Sequence, residues 1–283
     1  MAFPKRQNPL DWMTQLGHII LGRRIVSGED DWLLGPIGAI GEKVDQFISR
    51  IAKEHDLQVA TNRNGVGLLN SFEDFGLTIK PKIDAFYRHT SDYELDAWTE
   101  WKFFFKPFGY IVAVLFSKRI QQLYLPLNSL ETSEGIKSEI IQLVDNLSNV
   151  VYCIWHRQLK TSKDVIFYGI YTYCLLPSGK PAIKAIFPLP QGNATAIFGI
   201  GQDQNGNLEL TSFGNTYGDP GLYILVEDSR GNIHKNYIRF FHQLISVYED
   251  KEGIIRADHT MDFCSFRIHK MHYKIVHKLE RPH

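Results

Sequence analysis

"VIFYGIYTYCLL", Val165–Leu176, is a stretch of sequence that is apolar on both faces of an extended strand. Successive side chains of a strand point to opposite faces, so Phe167 and Tyr171 share one face while Tyr168 and Ile170 share the other. A strand with two apolar faces is buried on both. We therefore predict that this strand lies inside a sheet, between a layer of helices and a second apolar layer.

The sequence around this strand has the pattern of an antiparallel sheet. From residue 135 onward the hydrophobic period is mostly two, and turn sequences such as "LPSGK", "QNGN" and "DSRGN" recur every ten or so residues. Connections this short join neighbouring antiparallel strands, and many such strands tend to curl or close. The predicted strands are 136–144, 150–159, 164–176, 181–187, 195–201, 207–212, 221–227, 236–249, 253–263 and 265–278.

The first 133 residues have a mostly helical period. A first helix is predicted from Ile37 to Ile51, with Pro36 in its first turn. The glycines before and within it have the spacing GxxGxxG, which matches no phosphate-binding loop and favours close packing against a neighbour. A later helix is predicted over roughly 108–123.

The polar stretch "IDAFYRHTSDYELDAW", Ile83–Trp98, is predicted to be a junction between two helices. A short helix ends near residue 88, and Ser91 with Glu94 fits the capping box that begins the next helix. This interpretation leaves three residues as candidates to contact a ligand beside the sheet, namely Asp84, Tyr87 and His89.

These patterns together predict an α+β fold. A mainly helical N-terminal region, residues 1–133, would pack on a strongly curved antiparallel β-meander or barrel formed by residues 134–283. We expect the two regions to form one cooperative unit.

The composition excludes several classes of function. With 31 basic and 31 acidic residues the formal charge is zero, so we expect no nucleic-acid partner. Three cysteines far apart in sequence give no metal-binding spacing, and we predict neither a metal nor a cofactor. The oligomeric state cannot be derived from these features.

The N-terminal sequence lacks a signal peptide of the usual length, and the sequence therefore predicts a cytoplasmic protein. The longest apolar stretch, Phe103–Phe116, contains Lys106 and Pro107 and is shorter than a membrane-spanning helix. A buried core helix is the favoured interpretation, and contact with a membrane surface is the alternative.

Three predicted strands each carry a histidine among apolar residues: His156, His242 and His259. Histidine is suited to proton transfer near neutral pH. If the chain is an enzyme, His259 or His156 would transfer the proton, and Asp258 or Asp84 would orient the histidine ring. Periodicity predicts the face on which each histidine lies but not its neighbours.

The aromatic content of 13% favours a pocket for an apolar molecule. We expect a soluble protein that encloses a bulky, largely apolar small molecule, with tyrosines and histidines orienting its polar end. The ligand-binding candidates on the strands are Tyr168, Tyr171, Tyr173 and His242. The alternatives are an enzyme with acid–base chemistry (an isomerase, cyclase or hydrolase) in the same cavity, and a structural or protein-interaction module without a cavity.

Overall fold

The computed structural model describes residues 3–5, 9–60, 67–68, 72, 75–101, 136–159 and 165–280. The helices within these ranges are α1 (Pro9–Leu21), α2 (Val44–Glu54) and α3 (Pro81–Arg88). The strands are β1 (Arg23–Arg24), β2 (Gln58–Ala60), β3 (Tyr93–Trp101), β4 (Ile136–Val144), β5 (Val150–Leu159), β6 (Val165–Leu175), β7 (Pro181–Leu189), β8 (Gly192–Gln202), β9 (Leu208–Thr211), β10 (Gly221–Glu227), β11 (Ile233–Ile238), β12 (Phe241–Glu249), β13 (Ile255–Phe263) and β14 (Phe266–His277). The helix predicted over 108–123 and the apolar stretch Phe103–Phe116 lie outside the described residues.

The described strands form one antiparallel sheet, which agrees with the predicted α+β class. Their order is β1-β11-β10-β8-β7-β6-β5-β4-β3-β14-β13-β12-β9, with β2 paired to β4. Strand β9 pairs with β12 and also with β8. Short turns connect most neighbours from β4 onward, as the turn sequences predict.

The middle of strand β6 packs against an apolar core on each face, as its sequence predicts, whereas Tyr173 and Leu175 near its end are exposed. On the outer face, Tyr168 and Ile170 pack with Phe47 and Ile51 of α2. On the inner face, Tyr171 packs against a separate core cluster that includes residues of α3. The two apolar faces of β6 thus serve two different cores, and we call the side that contacts α3 the inner face of the sheet.

Helix α3 lies at one end of the inner face. Ile83 and Phe86 belong to the inner core cluster and are almost completely buried. The Lys82 ammonium donates to the carbonyl of Gly253, in the turn between β12 and β13, at 2.8 Å. The backbone N–H of Lys80 donates to the carbonyl of Gly206, in the turn between β8 and β9, at 3.2 Å. These contacts hold α3 beside the β8–β9 turn and the β12–β13 turn.

The prediction that a helix begins at the Ser91–Glu94 capping box is wrong. A single 3₁₀ turn at Thr90–Asp92 is followed by β3, which pairs with β14 along its whole length. The reason is the period of the following residues, because Leu95 and Ala97 alternate with charged side chains and are buried in the inner core. Pairing and burial over nine residues outweigh one local capping signal.

Helix α2 begins at Val44, seven residues after the predicted start at Ile37. The preceding segment pairs with the turn between β7 and β8, where the Gly38 N–H donates to the carbonyl of Gly192 at 3.1 Å. A Cβ at Gly38 would lie 2.7 Å from the carbonyl oxygen of Leu189. The glycine spacing therefore does reflect close packing, but of an extended segment rather than of a helix.

Two further differences concern element boundaries. The strand predicted over 236–249 is two strands, β11 and β12, because the chain turns at Arg239 and Phe240 and pairs with different neighbours on either side. Helix α1 was not predicted. Its buried residues are Gln15 and Ile19, while several of its apolar side chains are exposed, so its sequence lacks a clear apolar face.

Candidate functional site

A cavity of about 100 Å³ lies in the inner core, between the sheet and α3. Among the described residues, twenty line the cavity, of which seventeen are apolar or aromatic and three carry other polar groups. The apolar and aromatic residues are Leu68, Phe86, Tyr87, Leu95, Trp155, Tyr171, Ile183, Ala185, Phe187, Ala196, Phe198, Leu210, Ile245, Val247, Ala257, Tyr273 and Ile275; the polar ones are Arg157, Gln243 and His259. In the part of the chain that the structure describes, no Asp or Glu lines the cavity.

The three polar residues lie close to one another in the cavity wall. Nε2 of His259 on β13 is 3.0 Å from Oε1 of Gln243 on the neighbouring strand β12, and Arg157 on β5 is close enough to contribute to the lowered pKa of His259. Helix α3 contributes Phe86 and Tyr87 to the same wall.

His259 is a neutral side chain at pH 7. Burial, with smaller contributions from His269 and Arg157, lowers its pKa to about 3. Its remaining accessible surface borders the cavity. Its Nε2 lies 3.0 Å from Oε1 of Gln243, so the neutral ring with its proton on Nε2 donates to that amide oxygen. The pair can orient a polar group, but an imidazole with this pKa is a weak base.

Two of the tyrosines predicted to bind a ligand do line the cavity. Tyr171 is on the inner face of β6 and Tyr87 is on α3. Burial raises the pKa of both phenols above their ordinary value, so both stay protonated at neutral pH. Each ring adds apolar contact area, and each hydroxyl is a polar group at the cavity wall.

His156 and Tyr168 lie on the outer face of the sheet, not in the cavity. They face each other across β5 and β6, with ring centroids 6.2 Å apart. Tyr168 packs against Phe47 of α2 at 5.8 Å between ring centroids. The Glu139 carboxylate lies 3.9 Å from Nδ1 of His156. The hypothesis that His156 shares a site with His259 is therefore not supported.

Asp258 and His242 also point away from the cavity, because each neighbours an inward-facing residue on its strand. Asp258 binds His272, with 2.5 Å between Oδ1 and Nδ1, and Lys270 at 3.2 Å. It therefore cannot orient the adjacent His259. His242 contacts the ring of Phe213, at 5.3 Å between ring centroids.

The other three candidates are near the ends of their elements and do not line the cavity. Asp84 forms an ion pair with Arg88 one turn later on α3, at 2.6 Å. His89 ends the same helix and is exposed. Tyr173 is 40% exposed and contacts Phe75, at 5.3 Å between ring centroids. Their local contacts account for their positions.

Arg157 and Gln243 are polar lining residues that the sequence interpretation missed. Arg157 lies on the face of β5 opposite to His156, together with Cys153 and Trp155. The sequence does contain a sign of this position. In "CIWHR", Arg157 continues the alternation of Cys153 and Trp155 and therefore lies on the same face of the strand. The predicted candidate His156 lies on the opposite, outer face of this strand. Gln243 was overlooked in the same way beside His242.

The described residues contain no group of three or more His, Cys, Asp or Glu side chains placed to hold a metal ion. The histidines predicted on three strands point to different sides of the sheet, which separates them. The absence of a metal or cofactor stays a prediction.

No family model matches the chain, and no solved structure matches it. A comparison with curated proteins finds similarity to "Uncharacterized membrane protein YndJ" of Bacillus subtilis (strain 168), at 24% identity over 240 residues. The match covers 82% of this chain and 41% of that protein. The chain thus spans about two fifths of its relative.

This similarity contradicts the cytoplasmic location predicted from the sequence, and that prediction is wrong. None of the described helices is long and apolar enough to cross a membrane. The site itself is a mostly apolar cavity whose wall contains a buried arginine and a neutral histidine, in a chain that resembles part of a membrane protein.

Proposed function

We propose that this chain binds a small, largely apolar molecule in the cavity between the sheet and α3. The observation that carries the proposal is the composition of the wall, because seventeen of the twenty described lining residues are apolar or aromatic and the other three lie close together. Ligand sites in proteins have this character, with a mostly apolar wall and a few polar groups that fix orientation.

We further propose that the sheet curves strongly enough to surround the ligand. The lining residues come from nine strands, β3, β5 to β9 and β12 to β14. Strand β9 pairs with both β8 and β12, which are distant in the order of the sheet. Both observations support strands that wrap around the cavity rather than a flat layer.

The volume of the cavity limits the size of the ligand that we expect. An engineered protein cavity of about 150 Å³ binds benzene, so a cavity of about 100 Å³ suits a group of comparable or smaller size. The proposal is therefore a small ligand, or one small apolar part of a ligand, rather than the bulky molecule expected from sequence. The description of the relative as a membrane protein is compatible with a ligand that partitions into lipid.

The observations favour binding over catalysis. The enzyme hypothesis needs His259 as a base and a carboxylate that orients it. The pKa of His259 is about 3, its partner is the amide of Gln243, and Asp258 is on the opposite face. The cavity also argues against the hypothesis of a purely structural module.

Filling the cavity tests the proposal. We expect butan-1-ol, which is smaller than benzene, to bind the purified chain, and Ala257→Leu to abolish this binding because the added carbons occupy the cavity beside His259. The control is Ala60→Leu, which makes the same substitution on β2, away from the lining residues. Ligand-observed NMR measures binding, and a thermal unfolding curve checks that each variant is folded.

Equal binding by the wild type and a folded Ala257→Leu variant would contradict the proposal. Native mass spectrometry of the freshly purified chain complements this test, because a tightly held natural ligand would copurify.

A further inference from the structure

Helix α1 exposes apolar side chains along one side. Met13 is 66% exposed, Ile20 is 60% exposed and Leu21 is 82% exposed. Residues seven apart lie on the same side of a helix, so Met13 and Ile20 share one stripe, with Gly17 between them. No described atom lies within 4 Å of the position that a Cβ at Gly17 would take. This stripe, which we call the outer side of α1, therefore faces away from the sheet.

The opposite side of α1 holds the helix against the sheet. Gln15 is 7% exposed, and its side-chain amide donates to the carbonyl of Pro190. Ile19 is buried one turn later, and the side-chain amide of Asn236 on β11 donates to the carbonyl of His18 at 2.9 Å. The helix thus buries a glutamine while it exposes three large apolar side chains, a pattern that favours a further contact on the outer side.

Two exposed arginines follow the helix directly. Arg23 and Arg24 form β1, which is the first strand in the order of the described sheet and pairs with β11. Both residues are exposed. Arginine side chains are long enough to keep the charged group in a polar layer while their carbon stems lie along apolar surface. An apolar stripe accompanied by cations is typical of helices that lie in the interface of a lipid bilayer.

We propose that the outer side of α1 binds the surface of an anionic lipid bilayer. Met13, Ile20 and Leu21 enter the boundary between the head groups and the acyl chains, and Arg23 and Arg24 bind the lipid phosphates. This inference does not depend on the ligand cavity, since none of the described residues that line the cavity is on α1.

The two arginines favour a lipid surface over a second copy of the chain. In a symmetric dimer through the outer side of α1, both copies would bring Arg23 and Arg24 to the same small interface. Like charges across an interface oppose association, whereas anionic head groups complement these charges.

Flotation of the purified chain with lipid vesicles tests the proposal. One set of vesicles is phosphatidylcholine alone, and the other contains about 30% phosphatidylglycerol, which makes the surface negative. The chain should bind the anionic vesicles at least about tenfold more tightly, because each arginine near an anionic surface contributes about fivefold. Raising the salt concentration should lower this preference.

A pair of substitutions on the helix tests the apolar contact. Ile20→Gln combined with Leu21→Gln should lower binding to both kinds of vesicle at least about tenfold, because the apolar area that enters the bilayer is lost. The control is Leu147→Gln combined with Leu279→Gln, which changes two highly exposed leucines in other parts of the chain and should leave binding almost unchanged.

A second pair tests the charges. Arg23→Gln combined with Arg24→Gln should lower binding to the anionic vesicles at least about tenfold and leave the weak binding to neutral vesicles almost unchanged. The control is Lys180→Gln combined with Lys251→Gln, which removes the same charge from two exposed residues in the β6–β7 and β12–β13 turns.

Absence of binding to anionic vesicles, or equal binding by the wild type and the folded Ile20 and Leu21 variant, would overturn the proposal. Equal binding of the wild type to both kinds of vesicle would overturn the assignment of an anionic surface, and this comparison decides the matter even if a variant does not fold. A thermal unfolding curve checks the folding of each variant. Analytical ultracentrifugation without lipid measures self-association, and a dimer that the helix substitutions dissociate, in a chain that binds no vesicles, would show that a second copy covers α1.

Discussion

His269 gives the fold a sensitivity to acid that a single substitution can isolate. This side chain is 1% exposed on β14, and its Nε2 lies 2.7 Å from Oγ1 of Thr99 on β3. Burial lowers its pKa from 6.5 to about 4. Between these two values the unfolded chain binds a proton that the folded chain does not, so the free energy of unfolding falls as the pH decreases.

The magnitude follows from the two pKa values. At pH 5 the unfolded histidine is almost fully protonated and the folded one is mostly neutral, which corresponds to a loss of about 2 kcal/mol relative to neutral pH. The loss begins near pH 6.5 and is complete only near pH 4. Carboxylates with lowered pKa values, such as Asp228, destabilise the fold at lower pH.

The assay is urea unfolding at pH 7 and pH 5, with wild type and His269→Gln compared. His269→Gln lowers stability at pH 7 through the altered contact with Thr99, but its further loss between pH 7 and pH 5 should be smaller than that of the wild type by about 2 kcal/mol. His277→Gln, at the end of the same strand, is the control and should keep the full loss. An identical loss in wild type and His269→Gln would refute the argument that a buried neutral imidazole causes it.

Two further substitutions test the two sides of the sheet by chemical denaturation. Tyr168→Phe should leave stability unchanged or raise it by about 1 kcal/mol, because the buried hydroxyl has no hydrogen-bond partner among the described residues; a loss above about 1 kcal/mol would indicate a bond that this hydroxyl needs. Ile83→Ala should cost about 2–5 kcal/mol, because Ile83 on α3 is fully buried in the inner core. The matched control Ile20→Ala, on the exposed surface of α1, should change stability by less than about 0.5 kcal/mol, and equal effects of the two substitutions would contradict the assignment of α3 to the core.

The strands were predictable because their signals are local. Alternating side chains and turn residues identify β4 to β8 close to their observed limits, and two apolar faces identify β6 as an inner strand. The errors arose where a local signal competed with pairing partners far away in sequence. Ser91 and Glu94 suggest the start of a helix, but residues 93–101 pair with β14 and therefore form a strand of the sheet.

The site was predictable only in part. Sequence alternation correctly separates His156 from Arg157 and His242 from Gln243, since neighbours on a strand face opposite sides. Alternation does not indicate which of the two sides faces α2 and which faces the cavity. Of the candidates chosen from sequence, His259, Tyr87 and Tyr171 line the cavity.

The sequence by itself therefore determined the α+β class, most strand positions and the pairs of residues that share a face. Only the tertiary structure decided that the face with Arg157 turns inward, that α3 forms part of the cavity wall and that His259 contacts Gln243 rather than Asp258. The physical reason is that periodicity is a property of one strand, whereas a cavity is formed by nine strands and a helix whose positions depend on long-range packing.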